Sequence, residues 1–259
     1  MNILINNQQS ATCPERSRRI GNRQFARGFS LTEVLLAVGI LAVGMMFIAG
    51  VFPVSVYFTT VATERSIAPI VADEAFAKIK LYGSIGINTV PGTEFSYPST
   101  PTADPNSKQY WWSGTYQPVL GSLNDFIVTV FVSRKVGVAS QYWVRTSKDN
   151  SILMIISHPM PVYVGVSASP SGRADELAIG NLDPAVNETS FINDGYTIAD
   201  DATGNIYRVL ERYPANPNVI HLDKDWIGPL SPNLVWVVPP PIGGGRYPCI
   251  GVYQKVMRF

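Results

Sequence analysis

Between Val34 and Phe58 no side chain carries a charge, and Val, Leu, Ile, Ala, Met and Phe dominate the run. This stretch restricts the chain more than any other. As a helix rising about 1.5 Å per residue it spans nearly 40 Å, enough to cross a bilayer core of about 30 Å. The apolar core of a secretory signal is shorter, at about 7–15 residues. Arg16, Arg18, Arg19, Arg23 and Arg27 precede the run against the single acid Glu15, and Glu64, Asp73 and Glu74 follow it. Positive flanks stay in the cytoplasm, so the N-terminus is expected there and everything after residue 60 outside.

Two features exceed what a plain anchor needs. The first is Glu33, near the start of the apolar segment, where an unpaired carboxylate in hydrocarbon costs several kcal/mol on some scales. A free α-amino group is a fitting partner, and a cut just before Phe29 would create one. The competing reading leaves Glu33 in the headgroup zone at the cytoplasmic end. The second is the continuation TVATERSIAPIVADEAFAKIKL over 60–81, which puts Ile67, Ile70, Val71, Ala75 and Ile79 near helical spacing with charges between them. One long helix is expected, apolar in its first half and amphipathic in its second. Pro53 and Pro69 each remove a backbone N–H and are expected to kink or loosen it, and Gly83 suits its C-terminal stop.

Gly28-Phe29-Ser30-Leu31-Thr32-Glu33, followed by VLLAVGILAVGMM, resembles the class III signal sequence of type IV prepilins and type II secretion pseudopilins. The match covers the leader junction and the start of the helix. The resemblance implies that prepilin peptidase cuts after Gly28 and that Phe29 becomes an N-methylated mature terminus. Glu33 then engages the terminal amine of a neighbouring subunit during assembly, and Pro53 falls near the family's helix-breaking proline. It also implies a structural, non-enzymatic subunit without a cofactor. Its partners are the peptidase, other pilin or pseudopilin subunits and the inner membrane, before it enters a pilus or pseudopilus. The mature chain is large for a major pilin, which favours a minor one.

The expected organisation is a basic leader over 1–28, a long helix over 29–82 that is transmembrane at about 34–58, and an extracytoplasmic, mostly-β head over 83–259. The fold class is α+β, with the second half of the helix packed on an antiparallel sheet. Proline, serine and threonine make 83–113 loop-like. Strands are expected at Thr115–Leu120, Asp125–Lys135, Gln141–Arg145, Ser151–Ser157, Pro161–Ser167, Ile206–Glu211, Asn218–Leu222, Leu234–Val238 and Ile250–Met257. Lys148-Asp149-Asn150 suits a turn, and the polar stretch Ala168–Asp201 is left without strands.

A net charge of +1 and a charged content of 15% give no basic surface for nucleic acid. Removing the leader removes Cys13, so Cys249 would have no intramolecular disulfide partner. His158 and His221 read as structural histidines, and no nucleophile elbow or zinc-ligand spacing accompanies them. Gly243-Gly244-Gly245 lacks a P-loop lysine and reads as a turn. Asp194, Asp200 and Asp201, near Asn193 and Asn205, are candidate oxygen ligands for calcium. Their spacing is not that of an EF-hand, and solvated loop acids are the competing reading. Asn187-Glu188-Thr189 matches a glycosylation sequon by pattern alone. Tyr110, Trp111, Trp112 and Tyr116 form an aromatic cluster suited to packing or interface anchoring. The alternative overall reading is a single-pass, membrane-anchored envelope protein with an enzymatic or ligand-binding head.

Overall fold

The computed structural model describes residues 28–82, 96–97, 109–119, 121–122, 124–137, 139–145, 153–229 and 233–259. The basic leader with Cys13, the stop at Gly83 and the Lys148-Asp149-Asn150 turn lie outside these residues. One helix, α1, runs from Leu31 to Tyr82. Two compact units are delimited within it, the second beginning at Val56. Neither Pro53 nor Pro69 interrupts the helix. A proline deletes one intrahelical bond, and the flanking turns carry the helix through.

The strands are β1 (Ser96–Tyr97), β2 (Tyr110–Pro118), β3 (Asp125–Arg134), β4 (Tyr142–Arg145), β5 (Leu153–Ile156), β6 (Val162–Ala168), β7 (Glu176–Gly180), β8 (Thr197–Asp200), β9 (Ile206–Arg212), β10 (Val219–Leu222), β11 (Asn233–Val237) and β12 (Cys249–Arg258). They form three antiparallel groups: a sheet in the order β1-β2-β3-β12, a closed barrel in the order β10-β7-β6-β11-β8-β9, and the hairpin β4-β5. The α+β class and the antiparallel pairing agree with the sequence reading, but the head is more than a simple sheet. Half of its strands close into a barrel, an arrangement that removes exposed strand edges.

The second half of α1 lies on the sheet. Ala68, Val71, Ala72, Ala75, Phe76 and Ile79 pack with Trp112, Val128, Val130, Val132 and Met257. Ile70, placed by spacing on the apolar stripe, is 55% exposed. The stripe instead runs through alanines, which let the helix approach the sheet closely. Phe131 points the other way and packs with Tyr163, Ala199, Trp236 and Val238 from the barrel wall. The sheet is therefore a middle layer, with α1 on one face and the barrel on the other. Inside the barrel, Val162, Val164, Val166, Leu177, Ile179, Ile198, Tyr207, Val209, Ile220, Leu222, Val235 and Val237 fill the interior with side chains.

Two expectations are corrected. The polar stretch Ala168–Asp201 contributes β7 and β8 to the barrel. Its runs ELAIG and TIAD are only five and four residues long, with small residues between the inward Leu177, Ile179 and Ile198, too short to stand out in a polar stretch. Tyr110–Ser113, read as the end of a loop, instead begins β2, where Tyr110 pairs with Arg134. The β8–β9 turn touches the sheet at Gly204, which has φ +74°; a Cβ there would lie 2.8 Å from Gln117 Oε1. Gln254 Nε2 donates to the Gly204 carbonyl at 2.6 Å, tying turn to sheet.

Trp111 stacks on His158 with ring centroids 4.2 Å apart. Burial, with a smaller contribution from Lys135, lowers the His158 pKa from 6.5 to about 4. The unfolded chain therefore binds the extra proton first, and folding stability should fall as pH drops from about 6.5 to about 4. Comparing chemical denaturation of wild type and His158→Phe across that range should show the variant losing on the order of 1–2 kcal/mol less, allowing for partial solvent screening.

Candidate processing and assembly segment

Residues 28–30 precede the helix without regular structure, and Phe29 is 80% exposed. The Ser30 carbonyl accepts from Glu33 N at 2.9 Å and from Val34 N at 3.1 Å, so Ser30 opens the helix. The Ser30 hydroxyl is shared with Thr32 Oγ1 at 2.7 Å. Glu33 falls in the first turn. An acid there complements the helix dipole by about 0.3–1 kcal/mol, so local helix chemistry alone gives Glu33 one use. The peptide joining Gly28 and Phe29 thus lies just outside the helix, with Glu33 one turn inside.

From Leu31 through Thr60 every residue is exposed, with large side chains such as Leu35, Met46, Phe47 and Phe52 more than 60% exposed. A helix that is apolar around its whole circumference requires an apolar environment on every side. This helix is long and apolar enough to cross a membrane. Pro53 lies within the segment.

At Glu64 the character changes abruptly. Its side chain is buried and receives two guanidinium groups. Arg134 Nη1 lies 2.8 Å from Oε1, while Arg246 donates through Nη2 to Oε2 at 2.8 Å and through Nη1 to Oε1 at 3.3 Å. Arg246 also covers the Tyr57 ring at 5.3 Å. Burial lowers the pKa of Arg134, partly offset by Glu64. Burial and the nearby Glu64 charge raise that of Tyr110. The clamp fixes the rotation and height of α1 on the sheet, because only one helix register brings Glu64 to both arginines. Sequence reasoning missed it, taking Glu64 only as an acid beyond the membrane. Its partners lie 70 and 182 positions away, and no local pattern announces them.

The remaining candidates serve the fold. Asp200 is buried and accepts from Asn233 Nδ2 at 2.9 Å, from Ala202 N and Thr203 N at 3.1 Å each, and from the Thr203 hydroxyl. Asp201 Oδ1 accepts from Trp236 Nε1 at 2.9 Å, and Asp194 Oδ1 from Arg212 N at 2.6 Å. These three carboxylates hold turns and are not gathered around one point. Among the described residues no group of three or more His, Cys, Asp and Glu could hold a metal ion.

His221 Nε2 meets Asp175 Oδ2 at 2.9 Å. The Asp175 carboxyl is held at about 2, chiefly by hydrogen bonds from Arg173. Within the sequon, Glu188 is the fully buried counter-charge of Arg145 and also accepts from Asp183 N at 2.9 Å. Thr189 Oγ1 donates to Asn187 Oδ1 at 2.6 Å. Gly243 has φ +90° in a turn closed by Gly244 N to Pro241 O at 3.0 Å, so the triple glycine serves chain reversal. Cys249 is a free thiol whose pKa burial pushes up to about 12.

Comparisons with protein-family models, with curated proteins and with solved structures find no match.

Glu64→Ala should destabilise the fold by about 1–3 kcal/mol, less than for a fully buried pair, since it leaves two half-buried guanidinium groups without their counter-ion. Glu64→Gln, which keeps hydrogen-bond acceptance, should cost less. Equilibrium unfolding checks the order, and equal stability of all three proteins would show that the clamp contributes nothing.

Proposed function

We propose that the chain is the precursor of a type IV pilin-like structural subunit, a minor pilin or a type II secretion pseudopilin, and that it is not an enzyme. The observation that carries the reading is the junction of two features. The sequence Gly28-Phe29-Ser30-Leu31-Thr32-Glu33 stands at the exposed start of a helix that is apolar on all sides, and that helix continues as the packed spine of a β-rich domain.

In this reading prepilin peptidase cleaves between Gly28 and Phe29, releasing residues 1–28, and the new Phe29 amine is methylated. The segment at about 34–58 holds the subunit in the inner membrane, with the N-terminus cytoplasmic and the 83–259 head extracytoplasmic. Glu33 is exposed in the single chain. When subunits meet, hydrocarbon and neighbouring helices surround it, and a neighbour's terminal amine neutralises it. A buried ion pair is a poor source of net stability, yet breaking it leaves an uncompensated charge that costs about 3–5 kcal/mol. Misregistered subunits bear that cost and correctly placed ones do not, so one pair selects register. The apolar helix surface, solvated by lipid before assembly, becomes the contact between subunits afterwards.

N-terminal peptide mass spectrometry on membrane-extracted protein, with and without the peptidase, tests the proposal. Methylated Phe29 is expected at the terminus only when the peptidase is present. Glu33→Val should be processed normally but recovered in sheared filaments at a small fraction of the wild-type amount. An uncut, unmethylated terminus in both samples would overturn the reading and leave a single-pass anchored envelope protein.

A further inference from the structure

The clamp at Glu64 leaves positive charge in excess beside the end of the apolar run. Glu64 supplies one negative charge to Arg134 and Arg246, and Arg65 follows it on the helix. Val61, Glu64, Arg65, Arg246, Tyr247, Cys249 and Ile250 line a cavity of about 220 Å³. That is many times the space one water needs. Its lining joins two guanidinium groups, those of Arg65 and Arg246, with the apolar side chains of Val61 and Ile250.

The placement along the helix matters equally. The Arg246 guanidinium lies over the ring of Tyr57, at the last turn of the charge-free run, and reaches from there to Glu64 two turns later. A tyrosine at that position marks the interfacial belt of a membrane helix. Each headgroup layer is about 5–7 Å thick, so a guanidinium within 5.3 Å of the Tyr57 ring stands at phosphate depth. Ile242, at the exposed tip of the turn leading to Arg246, adds an apolar side chain to the same loop.

We infer that Arg65 and Arg246 bind the phosphate of an anionic phospholipid from the outer leaflet of the membrane that α1 crosses, with the glycerol and upper acyl chain against Val61 and Ile250. A free inorganic anion would satisfy the arginines but leave the apolar wall unused, which is why the lipid is the source. Arg246 orients two groups at once, Glu64 inside and phosphate outside, while Arg65 contacts the lipid alone. The inference rests on the membrane-spanning part of the proposed function and is independent of cleavage at Gly28.

The test uses full-length protein from membranes. Resistance to alkaline carbonate extraction first establishes integration, and loss of the protein into the carbonate supernatant would overturn the membrane reading itself. Native mass spectrometry in mild detergent then measures retention of phosphatidylglycerol, with inorganic phosphate and glycerol phosphate as competitors. Wild type should retain the lipid, and Arg65→Gln should weaken retention about fivefold, the effect of one interfacial arginine. Lys80→Gln, a basic change on the same helix outside the cavity, should not. Because Arg65 is exposed and outside the Glu64 clamp, its variant should keep the wild-type unfolding temperature. Equal retention by wild type and Arg65→Gln in an integrated protein would overturn the inference alone. Displacement of the lipid by inorganic phosphate at matching concentration would also overturn it, assigning the cavity to a free anion.

Discussion

Successive side chains of a strand point to opposite faces, so a strand apolar on both faces must be covered twice. β3 is such a strand. Val128, Val130 and Val132 require the helix, and Phe131 between them requires the barrel. The sheet could not be stable with either layer missing, since one face would then expose a row of buried valines or an aromatic cluster to water. This double coverage makes the second unit a single body, although its helix, sheet and barrel are quite different structures. The Gln254 bond to Gly204 adds polar registration at the sheet–barrel side, as the Glu64 clamp does at the helix side.

Two acids on α1 show how environment sets a carboxylate's role. Glu64 has both of its partners within its own chain, and the cost of burying it is offset inside the folded unit. Glu33 has only the first turn of its helix to complement it, which suffices in a polar setting and not in hydrocarbon. The same residue type thus fastens the chain to itself in one place and, in the proposed function, is completed only by another chain in the other.

Much of this was legible because its signals are local. A charge-free run and a helical stripe each lie within a short window, and β3, with its β-branched and aromatic residues, identifies itself. Of the strands expected, each falls on an observed one with ends shifted by a few residues, most at β2. What escaped was made by distant partners. Nothing near Glu64 predicts Arg134 and Arg246, and nothing in ELAIG or TIAD tells that their few apolar residues face a barrel interior. The partners of Asp194, Asp200 and Asp201 were hidden for the same reason. Clustered in sequence, these acids resemble ligands, and their neighbours in space include backbone N–H groups, a hydroxyl, an amide and an indole. Barrel closure is likewise a property of strand order, and alternation of side chains records only which face is buried.

The strand that completes the sheet, β12, comes after every other element, and it pairs with β3 along nearly its whole length, from Asp125 with Arg258 to Ser133 with Cys249. Met257 on this strand lies under the amphipathic half of α1, and Arg246 just before it closes on Glu64. During synthesis α1 is made before β12, the strand that finishes its docking surface. Contacts of such long sequence separation form slowly, because the intervening loop must be closed before they stabilise anything. Through that interval the helix stripe and the open edge of β3 are both uncovered, and in the proposed function a newly made chain spends it anchored at the membrane by α1.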